Sequence, residues 1–168
     1  MRKWLALFFL LSPLLYAQST QLGGMVGVGG AVKLFDNSSH HTVGGVEACV
    51  FCGGRFGLFL EYEHWAKTSS GSGEPGSMNL AGGGVRIQGK SARLRPFLDA
   101  GLLAGAESKK QVRPSFENES RAVAGGALGF GVAISVTAHW YVRPLARMVV
   151  LSTGAIGGFG GLSAGYSF

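Results

Sequence analysis

Alternation with a period of two residues constrains this chain more than any other feature of its sequence. Within residues 55–65, Phe56, Leu58, Leu60 and Tyr62 fall on one face, and Arg55, Gly57, Phe59, Glu61 and Glu63 on the other. Within 139–150, Trp140, Val142, Pro144, Ala146, Met148 and Val150 oppose His139, Tyr141, Arg143, Leu145 and Arg147. At the end, Leu162, Ala164, Tyr166 and Phe168 alternate with Gly161, Ser163, Gly165 and Ser167. Residues 22–34, 43–52, 79–88, 95–105 and 122–133 follow the same rule less sharply. A side-chain period of two is that of a strand, not a helix. Each segment is about as long as a tilted strand needs to cross a bilayer, roughly 9–11 residues.

Glycine supports the same reading. The chain has 29 glycines and only 5 prolines, against an average glycine share of about 7%. They fall inside apolar stretches such as 23–30, 82–84 and 125–131. Glycine is unfavourable inside helices, so an all-helical fold is excluded.

The connections alternate in length. Residues 35–42, 66–78 and 106–121 are long and polar, whereas Gly53-Gly54, 89–94 and the stretch near Ser135 to Ala138 are short. The last connection, near Ser152-Thr153-Gly154, is also brief. Outer-membrane barrels have short periplasmic turns and longer outside loops. Both termini are then periplasmic. The predicted fold class is all-β, an eight-stranded antiparallel up-and-down transmembrane β-barrel. The competing reading is a soluble β-sandwich, which also alternates. A sandwich would need a large apolar core between its sheets, whereas here one face is continuously apolar and the other mixes charge with glycine and serine.

The first segment stands apart. Arg2 and Lys3 precede an apolar run from Trp4 to Leu15, then Tyr16-Ala17 and the polar Gln18-Ser19-Thr20. That order is a secretory signal peptide. The run is too short to span a bilayer as a helix. Residues 1–17 are read as a signal peptide cleaved after Ala17, and residues 18–168 as the barrel domain. The expected location is the bacterial outer membrane, after export. The net charge of +6 falls to +4 without Arg2 and Lys3. The remaining positive charge is scattered rather than striped, which argues against nucleic-acid binding.

The inward faces collect Lys33, Glu47, Arg55, Glu61, Glu63, Arg86, Arg95, Asp99, Arg143 and Arg147. An eight-stranded barrel is just wide enough to be filled by side chains, and buried charges must be paired. These residues are expected to form an ion-pair network in the lumen; a narrow small-solute pathway or gated plug is the alternative. Phe56, Trp140, Tyr166 and Phe168 are predicted at the periplasmic interface, and Tyr62 and Trp65 near the outer one, since aromatics suit both interfaces. Tyr166 and Phe168 also form the terminal pattern understood to be read by the outer-membrane assembly machinery. Cys49 and Cys52 point to opposite faces if their strand is extended, with Cα atoms about 10 Å apart. Two packed thiols are therefore expected ahead of a disulfide, which would require a bulge at Gly53-Gly54. His40-His41 reads as a polar loop tip rather than a metal site, and no metal or cofactor is expected.

With these residues in place, the chain resembles the small outer-membrane barrels of the OmpA/OmpX type. The carrying stretches are the signal peptide, Arg95-Pro96-Phe97-Leu98, Gly125 to Gly131, Tyr141-Val142-Arg143-Pro144 and Gly165-Tyr166-Ser167-Phe168. The resemblance is to the transmembrane barrel only, so cell-wall anchoring through a peptidoglycan-binding module is not implied. It implies an integral outer-membrane protein with a structural or surface-interaction role. The partners implied are outer-membrane lipid, lipopolysaccharide, the assembly machinery and an extracellular ligand of the loops. A monomer is expected. The charged loop carrying Lys109, Lys110, Arg113, Glu117 and Glu119 is the expected contact surface. Some eight-stranded barrels remodel lipid A through a His-x-Ser motif on an outward strand. Here Glu63-His64-Trp65-Ala66 looks similar, but Ala66 stands at the nucleophile position and Ser69 and Ser70 lie in the loop, so a non-enzyme is expected.

Overall fold

The computed structural model describes residues 20–34, 37–67, 76–91, 93–110 and 118–168; at 32–34, 37–39, 67, 109, 110, 118 and 119 it describes the backbone only. The signal-peptide segment 1–17, residues 68–75 of the loop segment 66–78 and residues 111–117 of the segment 106–121 lie outside the described residues. Eight strands run in order: β1 (Gln21–Leu34), β2 (Asn37–Val50), β3 (Phe56–Lys67), β4 (Gly76–Gln88), β5 (Leu94–Lys110), β6 (Asn118–Ser135), β7 (Trp140–Leu151) and β8 (Ile156–Ser167). Each pairs antiparallel with its neighbours, and β8 returns to β1 to close the barrel. Closure removes the two free edges that an open sheet would carry. It also rules out the two-sheet sandwich.

The register sets which outward side chains adjoin. Phe56 pairs with Ile87, Ile87 with Leu98, Leu98 with Phe130, Phe130 with Ala146 and Ala146 with Gly160. This row is apolar and winds around the outside. Val26, Val28, Leu60, Leu102 and Phe130 are each more than 60% exposed, a distribution that water would disfavour and hydrocarbon accepts. The expected face holds on all eight strands. The β6–β7 ladder is interrupted between Gly131↔Leu145 and Ile134↔Val142, opposite Pro144, which has no N–H to donate.

Several strands outrun their expected lengths. β2 begins at Asn37, so His40 and His41 belong to a strand and not to a loop tip; His41 is buried in the lumen. β5 and β6 extend past the bilayer-length segments, pairing as far as Lys110↔Asn118. β8 begins at Ile156 and adds the inward Phe159. Polar and glycine-rich stretches read as loops because they lack alternation, but here a neighbouring strand supplies the ladder.

At the end bearing the short turns, His139, Trp140, Tyr166 and Phe168 cluster. Trp140 meets Tyr166 edge-on at 5.4 Å, Tyr166 meets Phe168 at 5.0 Å, and His139 stacks on Tyr166 at 5.3 Å. The last strand is pinned on both sides: the Ser167 N–H donates to the His139 carbonyl at 2.7 Å, and the Phe168 N–H to that of Thr20 at 2.9 Å.

Candidate functional site

The lumen is where the sheet brings chemistry together. Inward positions from β2, β4, β5 and β7 converge near the turn end. The Arg86 guanidinium donates through Nε and Nη2 to both Asp99 oxygens, at 2.8 and 2.7 Å. It donates through Nη1 and Nη2 to both Glu47 oxygens, at 2.9 and 2.8 Å. One planar fork thus holds two carboxylates, which only arginine geometry permits. Arg143 Nη2 joins the same Glu47 at 2.7 Å and also reaches the Tyr141 hydroxyl at 3.2 Å and Ser163 Oγ at 3.3 Å. Two arginines and two carboxylates balance, each almost wholly buried.

A second layer lies toward the loop end. Arg147 pairs with Glu61, and its Nε lies 2.8 Å from Glu63 Oε1. The other Glu63 oxygen accepts the Trp65 indole N–H at 3.0 Å. Rings separate the charges: the Arg86 guanidinium carbon is 4.6 Å from the Phe97 ring centroid and 5.7 Å from that of Phe59, and Arg143 is 4.6 Å from that of Tyr141. Such contacts stabilise cations removed from water.

Two expectations for this region are corrected. Arg55 is not in the lumen: it precedes β3 in the turn and is exposed. Trp65 is not at the outer interface. Odd positions of β3 point inward, so Trp65 is fully buried, edge-on to Phe159 at 5.4 Å. The interior is also not charged throughout. Toward the loop end Met25, Val43, Leu80, Leu103, Val123 and Val149 pack around Trp65 and Phe159 as an apolar core. Arg95 is half-buried, with no ion pair among the described residues, and the Lys33 side chain lies outside the description.

Two residues missed by the sequence reading complete the ladder. Glu107 is fully buried and accepts from Arg121 Nε at 2.6 Å. Both sit in a stretch read as loop, although Glu107 continues the inward parity of Asp99 and Leu103.

Cys49 and Cys52 form a disulfide, against the expectation of two thiols. β2 stops at Val50, Phe51 turns with φ of 64°, and the two Cα atoms come to 5.9 Å. Both cysteines then face the lumen beside Phe59. Gln88 Nε2 holds this turn by donating to the carbonyls of Cys52 and Gly54, the latter at 2.8 Å. The extended-strand premise fails because one left-handed residue reverses the chain.

On the outer wall, the Tyr62 hydroxyl donates to Asn79 Oδ1 at 2.8 Å, and His64 Nδ1 lies 2.7 Å from the same oxygen. His64 points outward as expected, and its chain neighbour at the motif's nucleophile position is Ala66.

A closed eight-stranded antiparallel barrel, apolar outside and ion-paired inside, has the architecture of the small transmembrane barrels of outer membranes. Solved structures agree. The chain is similar to Neisserial surface protein A, with a TM-score of 0.76 at 13% identity over 89% of this chain and 97% of that one. It is similar to the attachment invasion locus protein Ail of Yersinia pestis, with a TM-score of 0.65 at 12% identity over 90% and 99%. The N-terminal β-barrel domain of Pseudomonas aeruginosa OprF gives 0.60 at 14% over 90% and 98%. No protein-family model and no curated protein matches the chain.

Proposed function

We propose that this chain is a non-enzymatic integral outer-membrane barrel whose lumen is closed by its own side chains and whose longer loops meet the outside. The observation that carries the reading is the pairing of two opposite surfaces. The outside is apolar around the circumference, while the inside joins Arg86, Arg143 and Arg147 to Glu47, Asp99, Glu61 and Glu63. Removing either partner of such a pair would strand a charge in a low-dielectric interior. A lumen crossed by guanidinium–carboxylate forks and then by a Trp65–Phe159 core leaves little room for a solute. Function then moves to the loop end of the barrel, the segments about residues 35–40, 66–78 and 108–120, with Lys109, Lys110, Arg113, Glu117 and Glu119 as the contact surface for partners or lipopolysaccharide phosphates.

The lipid-A-modifying reading lacks a nucleophile: His64 is held by Asn79, and Ala66 offers no hydroxyl. The signal peptide 1–17 and the terminal Tyr166 and Phe168 complete the proposal, as export and assembly signals.

The test is fractionation followed by unheated and heated electrophoresis. The protein should sediment with the outer membrane and change mobility on heating. Recovery as a soluble periplasmic protein would sink the reading. Planar-bilayer recording then separates a closed barrel from a pore: steady unitary conductance from folded protein would favour the pore.

A further inference from the structure

The exposed charged side chains in the short turns of the barrel are of one sign only. Arg55 stands in the β2–β3 turn, Lys90 and Arg93 in the β4–β5 turn, and Arg95 at the start of β5. None of the nine acidic residues lies in a turn at this end or beside a terminus. In the lumen arginines meet carboxylates; here Arg55, Lys90 and Arg93 are exposed and form no ion pair among the described residues.

Two of these bases share an open depression of about 650 Å³ with Ile87, Gln88, Gly89, Pro96, Phe97 and Leu98, of which Gln88 and Phe97 are buried. The backbone fixes its edges. The Gln88 N–H donates to the Arg55 carbonyl at 2.9 Å, tying one turn to β4, and the Gly89 N–H donates to the Pro96 carbonyl at 2.8 Å. A Cβ on residue 89 would come within 2.9 Å of Pro96 Cδ, so glycine lets the turn lie close to the strand. Ile87 and Leu98 pair across β4 and β5 on the outward face, 44% and 51% exposed. The pocket is therefore basic at its rim and apolar along its wall, at the level where hydrocarbon gives way to headgroups.

We propose that this pocket binds the phosphate of an anionic phospholipid of the periplasmic leaflet, between Arg55 and Lys90, with the acyl chains along Ile87 and Leu98. The proposal rests on the outer-membrane orientation argued above. Charge selects the headgroup: a zwitterionic lipid brings its own ammonium to a rim that is already cationic. Lipopolysaccharide is excluded by position, since its phosphates face the loop end. Each basic residue near an anionic lipid surface is worth about fivefold in affinity.

The experiment places the purified barrel in nanodiscs of mixed phosphatidylglycerol and phosphatidylcholine. Lipids retained after gentle extraction are counted by native mass spectrometry. Wild type should retain phosphatidylglycerol over phosphatidylcholine by about fivefold or more. R55Q and K90Q should each lose part of that preference and the double variant nearly all of it, while R93Q, at the same end but outside the pocket lining, keeps most of it. Parity in wild type overturns the site, as does an unchanged preference in R55Q/K90Q or a loss in R93Q equal to theirs. Full displacement by millimolar inorganic phosphate would make it a free-anion site and overturn the lipid assignment. Heat-modifiable mobility is scored for every variant. A wild-type chain that never inserts overturns the outer-membrane reading, whereas insertion without preference overturns the lipid site alone.

Discussion

Glu47 accepts from two guanidinium groups on two different strands. Glu47→Ala leaves Arg143 buried without its carboxylate and Arg86 with half its partners. The expected cost is about 3–5 kcal/mol, read as a fall in the urea midpoint of the folded barrel in micelles. A loss below about 0.5 kcal/mol would mean that water reaches these groups. The parity of β2 made Glu47's inward direction legible in sequence. Its partners were not legible, because they lie 39 and 96 residues away along the chain. The disulfide gives a second residue-level expectation. Alkylation without reductant should modify neither Cys49 nor Cys52, and C49S/C52S should destabilise only modestly, since a crosslink three residues apart closes a short loop. Free labelling of the unreduced protein would restore the two-thiol reading.

At the scale of the strand, one parity rule separates the two tryptophans of the barrel. Trp65 is fully buried inside β3, whereas Trp140 is 55% exposed on the outward face of β7. In vesicles of lipid brominated on the acyl chains, fluorescence of the W65F variant should be strongly quenched and that of W140F hardly at all. Equal quenching would place Trp65 at the lipid interface after all. Gly84 and Gly160 illustrate the same division. A Cβ at inward Gly84 would collide with the Ala100 carbonyl, while at outward Gly160 it meets nothing within 4 Å. Gly84→Ala should cost about 1–3 kcal/mol by overpacking, and Gly160→Ala should fold as wild type in the same urea titration. Inward Cβ vectors converge on the axis of a narrow barrel and outward ones diverge, so equal substitutions have unequal consequences. The sequence shows that glycines sit on both faces; crowding at a particular one is visible only when the neighbouring strand is in place.

For the molecule as a whole, similarity of fold survives at 13% identity over 89% of the chain. Closure and an apolar exterior restrict the type of side chain at each parity, not its identity. The interior is free to vary as long as its charges pair, and here ion-paired layers near the turn end give way to an apolar core toward the loop end, beside which Glu107 pairs with Arg121. If the lumen is closed as proposed, planar-bilayer recordings of folded wild type should stay flat, with Trp65, Phe159 and Leu103 packed together across it. Sustained unitary steps would contradict this.

The long connection expected at 35–42 is not one, since β2 begins at Asn37 and follows β1 after residues 35–36 alone. Sequence alone determined the eight crossings, the outward and inward faces and the short turns at one end. Each of these is local: a period of two can be read within one strand, and a turn from a few residues. Only the tertiary structure decided that Arg86 bridges Glu47 and Asp99, that Trp65 joins an interior core, that Glu107 meets Arg121, and that Phe51 turns Cys49 toward Cys52. Those outcomes depend on register and on a single left-handed residue. A two-residue slip between strands changes every partner and keeps every side chain on its face, whereas a one-residue slip would turn the faces over.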